Sequence, residues 1–413
     1  RNAGQTVAIT KGKIMSGLKK TIGVLTGGGD VPGLNPAIRA ITSRALHEGY
    51  RVLGIRRGWA GLVDLVRDRD ADNSQNVQVL TQHLVNRAAR TGGTLIHTSR
   101  TRPSHLPAAS VPPHLRDQHV AETNDLTPEV LENLEFLEID YLIAIGGDDT
   151  LSYAKRLHDE GVNVVAIPKT MDNDVPGTDY CIGFSTCVTR TLELTRMLRT
   201  TAGSHERFLV IEVFGRYAVF SALLPTMAGA ADRCVIPEHS FDMENLAELL
   251  SADRRANPSK YAVVLVSQGA TIREDANMSF KDEEEDQYGH KKLGGIGDKV
   301  AERLKKLSPT YNGGLRVDIV NQQLGYLARC GEPDAIDSIV PMAYGNLALE
   351  MILSGNAGTL VCVRDGRYQT APLEVVTGEK KVVDVATFYC PERLRPKYET
   401  FSGKPLFIMT SEE

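Results

Sequence analysis

The chain has no Cys-x-x-Cys pair, for its six cysteines, at 181, 187, 234, 330, 362 and 390, are scattered over 413 residues. That spacing excludes a zinc ribbon and a disulfide framework, and a reducing cytoplasm is the expected compartment. Positive charge is not in excess either: 47 Lys and Arg stand against 52 Asp and Glu, a formal net charge of -5. Nothing marks a nucleic-acid binder, so any phosphate would be held by local chemistry. No apolar run approaches the roughly 18 residues of a membrane span, and no membrane partner is expected. The ten histidines show no His-x-x-x-His spacing for a helix-borne metal site. The start, RNAGQTVAITKGKIMSGLKK, is basic, but TIGVLTGGG reaches glycine too soon to form a signal-peptide core. The first residue is Arg1 rather than Met, so the natural N-terminus is expected to lie upstream.

With 42% apolar residues the chain has enough to bury a sizeable core, and its length favours two or three domains. Short apolar runs ending in glycine or turn residues recur: TIGVLTGGGD, YLIAIGGDDT, NVVAIPKTMD, FLVIEVFGR and YAVVLVSQGA. Continuously apolar strands alternating with helices predict parallel sheets covered on both faces. After the first run, Leu34, Ala37, Ile38, Ile41 and Ala45 fall at helical spacing, and after the second Leu151, Ala154 and Leu157 do so. The glycines therefore sit at strand-to-helix turns, at the carboxyl ends of strands where ligands bind in such sheets. The expected fold is α/β, with two Rossmann-like parallel-sheet domains, the active site in the cleft between them, and a small C-terminal extension. Boundaries are placed at 1–206, 207–355 and 356–413. Residues 102–124, with four prolines and three histidines, read as a polar connection, and the charged run 273–292 as a solvated or mobile loop, with a functional lid as the alternative. Asp365-Gly366 between extended runs predicts a hairpin.

Two segments and two arginines carry candidate chemistry. GGGDVPGLNPAIR, from Gly27 to Arg39, lets backbone approach an anion and offers a helix N-terminus. It has neither the Gly-Lys-Ser/Thr ending of a Walker loop nor the spacing of a dinucleotide fingerprint. PKTMDND, residues 168–174, alternates two carboxylates with Asn beside a Lys and a Thr. Extended backbone would aim Asp172 and Asp174 the same way, and a carboxylate base beside a cation suits phosphoryl transfer to an alcohol. The same letters also suit an Asn/Asp turn closed by Pro176-Gly177. Arg216 and Arg329 follow apolar segments, and a guanidinium fork suits phosphate.

The order of GGGDVPGLNPAIR, GGTLIHTSR, IGGDDTL, PKTMDND, CIGFSTC, SHERFLVIEVFGR and LGYLAR resembles the 6-phosphofructokinase family from about residue 21 to 350. The resemblance implies that Asp172 takes the proton from the sugar 1-hydroxyl and that Thr170 and Met171 contact the substrate. It implies Mg2+ at Asp148, donor phosphate at Gly28, and Arg100 reaching the transferred phosphoryl group. On the sugar side it implies Phe214, Gly215, Arg216, Gln268, Tyr326 and Arg329, with Arg207 crossing from a neighbouring subunit. A homodimer or homotetramer with sites completed across the interface is the expected assembly. Gln268 departs from the family's usual Glu, Val320 from a phosphate-binding Arg of the bacterial ATP enzymes, and Phe214 from Met.

ATP-dependent members of the family usually carry Gly at the positions of Asp149 and Lys169. Asp149 places bulk and negative charge where the inner phosphate of a nucleotide would lie, and Lys169 adds a cation beside the transferring group. Both changes resemble the pyrophosphate-dependent members, implying pyrophosphate and fructose 6-phosphate as substrates of a reversible reaction in glycolysis or gluconeogenesis. An ATP-dependent enzyme that tolerates Asp149 is the alternative, and a non-catalytic sugar-phosphate sensor is a reading from another class.

Overall fold

The computed structural model describes residues 20–215, 220–275, 280–285, 291–399 and 401–402. Two sheets are built from strands β1 (Thr21–Thr26), β2 (Arg51–Ile55), β3 (Val77–Val79), β4 (Tyr141–Gly146), β5 (Val164–Pro168), β6 (Phe208–Val213), β7 (Arg233–Val235), β8 (Ala262–Ser267), β9 (Ile319–Gln323), β10 (Thr359–Arg364) and β11 (Arg367–Pro372). The helices that matter below are α1 (Leu34–His47), α2 (Asp148–Asp159), α3 (Phe184–Ser204), α4 (Ile296–Tyr311) and α5 (Ile336–Leu353).

The first compact unit comprises residues up to Thr170, Val175–Thr178 and Gly331–Gly378. Its seven-stranded sheet runs β11-β10-β5-β4-β1-β2-β3. The five inner strands are parallel, and the two edges, β11 and β3, are antiparallel. Every residue of β1 and β5 is buried, as continuous apolar runs require when helices cover both faces. α1 packs against α5. Their close approach needs Gly345, where a Cβ would stand 2.9 Å from the Ala37 carbonyl and 3.0 Å from Ala40 Cβ. Helix α5 is long and apolar enough to meet a membrane-span criterion by length and composition, a feature the run-length reading passed over. Tyr344, Ala348, Leu349 and Ile352 on it are nevertheless buried within this unit.

The second unit comprises Met171–Asp174, Asp179–Cys330 and the chain from Glu379 on. Its sheet, β9-β6-β8-β7, is wholly parallel.

Four expectations differ from what is found. The boundaries at 206 and 355 do not match the units, because each unit is assembled from several chain segments. The C-terminal stretch is no single extension. Its hairpin turns at Asp365 and Gly366, both with φ in the left-handed region (51° and 70°), as such two-residue turns require. It then extends the first sheet through β10, which pairs with β5, whereas Glu379 onward belongs to the second unit. Residues 102–124 are not merely polar: Leu106, Val111 and Leu115 are buried, and Leu106–Pro107 pairs with Thr123–Asn124. Within the charged 273–292 run, Phe280–Glu285 pairs antiparallel with Lys291–Leu293, so that part is strand.

Candidate active site

In the first unit, β1 leaves its sheet at Thr26 and turns through glycines into α1. The Gly27 amide donates to the Ile145 carbonyl at 2.9 Å, and the Gly28 amide to Ser99 at 2.9 Å. Gly28 has φ +78°, and a Cβ there would lie 3.2 Å from Lys169 Nζ; glycine is demanded by both conformation and space. Its N–H is already engaged by the Ser99 carbonyl, which fixes the turn.

Lys169 follows β5 and is buried at 4% exposure. Its amide donates to Gly146 at 2.9 Å, and its ammonium donates to the Gly29 carbonyl at 2.7 Å. A cation is thus seated directly at the glycine turn. An ammonium is tolerated in such a place when its protons are hydrogen-bonded.

β4 ends at Gly146, and Gly147 caps α2, whose first turn carries Asp148 and Asp149. Carboxylates there are favoured by the helix dipole. Both are half-buried, and the Asp149 amide donates to Asp148 Oδ1 at 3.0 Å. The next residue, Thr150, was not singled out from sequence, yet it is fully buried against the same turn. A Cβ on Gly27 would meet its Oγ1 at 2.5 Å, and one on Gly146 its Cβ at 2.3 Å. The pairing of two bare glycines with one branched residue is its only sequence signal. Arg100 is exposed at the end of the Thr94–Arg100 segment, whose Ser99 Oγ donates to the Arg57 carbonyl at 2.6 Å.

The division between units falls inside PKTMDND, after Thr170. Asn173 has φ +57° and is completely buried, so the segment is a turn and Asp172 and Asp174 are not alternate members of an extended strand. Asn tolerates the left-handed region better than most residues. Its Nδ2 donates to the Asp179 carbonyl at 3.0 Å, and its Oδ1 accepts from the Cys181 amide at 2.8 Å. Asp172 and Asp174 are left half-buried on either side, with Thr170 half-buried and Met171 buried before them. Asn173→Ala should cost about 2–4 kcal/mol, from two lost hydrogen bonds and a strained φ. Chemical denaturation checks this, and a cost under about 0.5 kcal/mol, the usual scale for an inconsequential surface change, would remove Asn173 as the organiser of the turn.

In the second unit, Phe214 and Gly215 follow β6. Gly215 has φ +138°, and its carbonyl accepts from Ser267 Oγ and the Gly269 amide, both at 2.9 Å. Arg216 lies outside the described residues. The rings of Phe214 and Tyr326 meet edge to face at 6.0 Å. The Arg329 guanidinium lies 4.7 Å from the Tyr326 centroid and 5.7 Å from that of Phe214. Two aromatic faces orient a planar cation, and such a fork is suited to a phosphate. Phe214 is thereby brought to Tyr326 and Arg329, more than 100 positions along the chain.

Gln268 is also accounted for. Its Nε2 donates at 3.1 Å to Glu212 Oε1, a carboxylate only 2% exposed. Glu212 further accepts from Gln323 Nε2 and from the amides of Gly295 and Gly297, the latter two at 3.1 and 2.9 Å. This buried charge is fully hydrogen-bonded, and an amide at 268 supplies a donor that a second carboxylate would lack. Arg207 is half-buried at the start of β6, and Val320 lies within β9 with no guanidinium to offer.

Glycine turns at the carboxyl ends of parallel strands, with paired carboxylates and a buried lysine, define an α/β phosphate-binding protein. The phosphofructokinase family model matches residues 21–352, and the chain belongs to this family. It is 35% identical over 373 residues to a pyrophosphate--fructose 6-phosphate 1-phosphotransferase of Dictyoglomus thermophilum, covering 90% of this chain and 97% of that one. It is equally 35% identical, over 363 residues, to an ATP-dependent 6-phosphofructokinase of Corynebacterium efficiens, covering 88% and 95%. Among solved structures, phosphofructokinase from Saccharomyces cerevisiae superposes with a TM-score of 0.67 at 25% identity over 87% of this chain. This chain spans 45% of the length of that yeast chain.

Proposed function

We propose that this chain transfers a phosphoryl group from pyrophosphate to the 1-hydroxyl of fructose 6-phosphate, yielding fructose 1,6-bisphosphate and phosphate, and that it catalyses the reverse reaction as well. Relatives of equal identity differ in donor, so overall similarity does not choose between pyrophosphate and ATP. The observation that carries the choice is Lys169, a buried ammonium 2.7 Å from the Gly29 carbonyl, in a chain that also places a second carboxylate, Asp149, at the start of α2.

In this reading Asp172 accepts the hydroxyl proton as the sugar oxygen attacks the terminal phosphorus, and the bond to the leaving phosphate breaks. Lys169 and Arg100 offset charge on the transferring group, where positioning and electrostatics do most of the catalysis. Arg329, steered by Phe214 and Tyr326, binds the sugar 6-phosphate. Thr170, Met171, Gly215, Arg216 and Gln268 complete the sugar contacts, and Arg207 serves a neighbouring subunit of a homodimer or homotetramer.

Among the described residues no group of three His, Cys, Asp or Glu is placed to hold a metal. The half-buried carboxylate of Asp148 in the first turn of α2 fits Mg2+, which takes one or two carboxylates and fills its octahedron with substrate phosphates and water. Asp148 would be the protein ligand, and the bound ion would supply charge neutralisation between phosphoryl oxygens. A cytoplasmic setting accords with six cysteines of which none forms a disulfide.

The deciding assay varies the donor at fixed fructose 6-phosphate and Mg2+. Pyrophosphate should support turnover, with kcat/KM for ATP lower by about 100-fold or more, the equivalent of a few kcal/mol of like-charge repulsion. Turnover with ATP and none with pyrophosphate would select the ATP-dependent reading.

A further inference from the structure

Among the described residues outside the 21–352 match of the family model, one lysine is buried. Lys381 lies in GEKKVV, letters that suggest a solvated run, yet it is 6% exposed. Its ammonium donates to the Asp179 carbonyl at 3.0 Å, the same oxygen that accepts Asn173 Nδ2. Its amide donates to the Asp174 carbonyl at 3.3 Å. Its cation also lies 5.2 Å from the centroid of the Phe220 ring. One residue thus grips both limbs of the turn that carries Asp172.

The segment that brings Lys381 there is itself anchored. The Val383 amide donates to Glu238 Oε1 at 3.1 Å, Tyr389 Oη to the Cys234 carbonyl at 2.8 Å, and the Cys234 amide to Leu394 at 2.8 Å. Val383, Phe388, Tyr389 and Leu394 are buried. A tail held so firmly provides a fixed support for the side chain it presents.

We propose that Lys381 is a positioning residue for the 171–181 turn, stapling it so that Asp172 is held ready for proton transfer. The catalytic part of this rests on the reading of Asp172 given above. Burial pulls the Lys381 pKa down to about 8, opposed by Cys181, Asp179 and Asp174. The staple is therefore charged at neutral pH and loses its charge as pH rises through about 8.

The test uses Lys381→Met and Lys381→Arg in the full chain. Met keeps the length and packing but removes the donor; it also relieves the desolvation of a buried ammonium, and the Asp179 carbonyl keeps its hydrogen bond from Asn173 Nδ2. Melting temperature should therefore hold while the turn loosens. Hydrogen exchange of the Cys181 amide should quicken about tenfold or more in Lys381→Met, the scale of a lost hydrogen bond to a charged group, with β8 amides unchanged. The kcat should fall by a similar factor while KM for pyrophosphate stays the same, and Lys381→Arg should recover part of both losses. If exchange and kcat of Lys381→Met match the unsubstituted chain, the proposal fails. It fails too if exchange rises with no change in kcat. Should Lys381→Met not fold, the unsubstituted chain answers: between pH 7 and 9.5 the Cys181 amide must gain exchange rate relative to Val264, and parallel behaviour overturns the staple. The exchange readout does not depend on Asp172, so retained turnover in Asp172→Ser would sink the base assignment separately.

Discussion

Asp172→Ser is expected to lower kcat by about 10²- to 10⁴-fold, the range associated with removing a general base, while leaving binding of fructose 6-phosphate nearly intact. The side chain is half-buried next to an organiser, Asn173, that is fully buried, so shortening it should leave the turn in place. Serine can neither accept the hydroxyl proton at neutral pH nor carry the negative charge that draws it. Measuring kcat together with fructose 6-phosphate affinity, by calorimetry, separates the candidate readings. A base predicts loss of turnover with retained binding. A sugar-phosphate sensor predicts binding and no turnover to lose, and would show so in the unsubstituted chain. Unchanged kcat in Asp172→Ser would remove Asp172 from the chemistry. Because the same carboxylate would have to return the proton in reverse, the loss should be equal in both directions.

How much of this was legible depends on whether the signal is local. Apolar runs ending in glycine or turn residues marked β1, β4, β5, β6 and β8, because strands buried on both faces must be apolar throughout. The helix after Gly147 was legible from Leu151, Ala154 and Leu157, so Asp148 and Asp149 could be placed in its first turn. What stayed hidden was long-range. The pairing of Thr359 with Val165 has no trace in either segment, and it moves the 359–372 hairpin out of a supposed extension into the first sheet. Glu212 reads as an ordinary strand residue in FLVIEV; its satisfaction comes from Gly295 and Gly297, more than 80 positions away. The PKTMDND letters left strand and turn both open, because alternation of carboxylates is produced equally by a strand or by one left-handed Asn, and Asn173 at φ +57° selects the turn. Lys381 was passed over because a lysine among Glu and Lys is normally solvated, and only the anchored tail explains its burial.

The second large effect concerns the donor. Asp149→Gly, Lys169→Gly should lose most pyrophosphate-dependent turnover, by about 10²- to 10³-fold, comparable to removing one preorganised charge-stabilising donor. The two substitutions act on different quantities. Lys169→Gly alone removes an ammonium that is buried and hydrogen-bonded to Gly29, so it should lower kcat in both directions with either donor. Asp149→Gly alone removes negative charge at the first turn of α2, where an anion is otherwise favoured, and should chiefly lower KM for ATP. Glycine there has no Cβ, and α2 already begins from Gly147, so the helix should survive at a cost of about 1 kcal/mol or less. If Asp149 is a gate, ATP should be admitted by the single change and used fastest when Lys169 is kept. If instead ATP is refused by all three variants, exclusion of the nucleotide does not reside at Asp149. The paired carboxylates would then serve the metal together, a role in which Asp149→Gly raises the Mg2+ requirement and leaves donor choice unmoved.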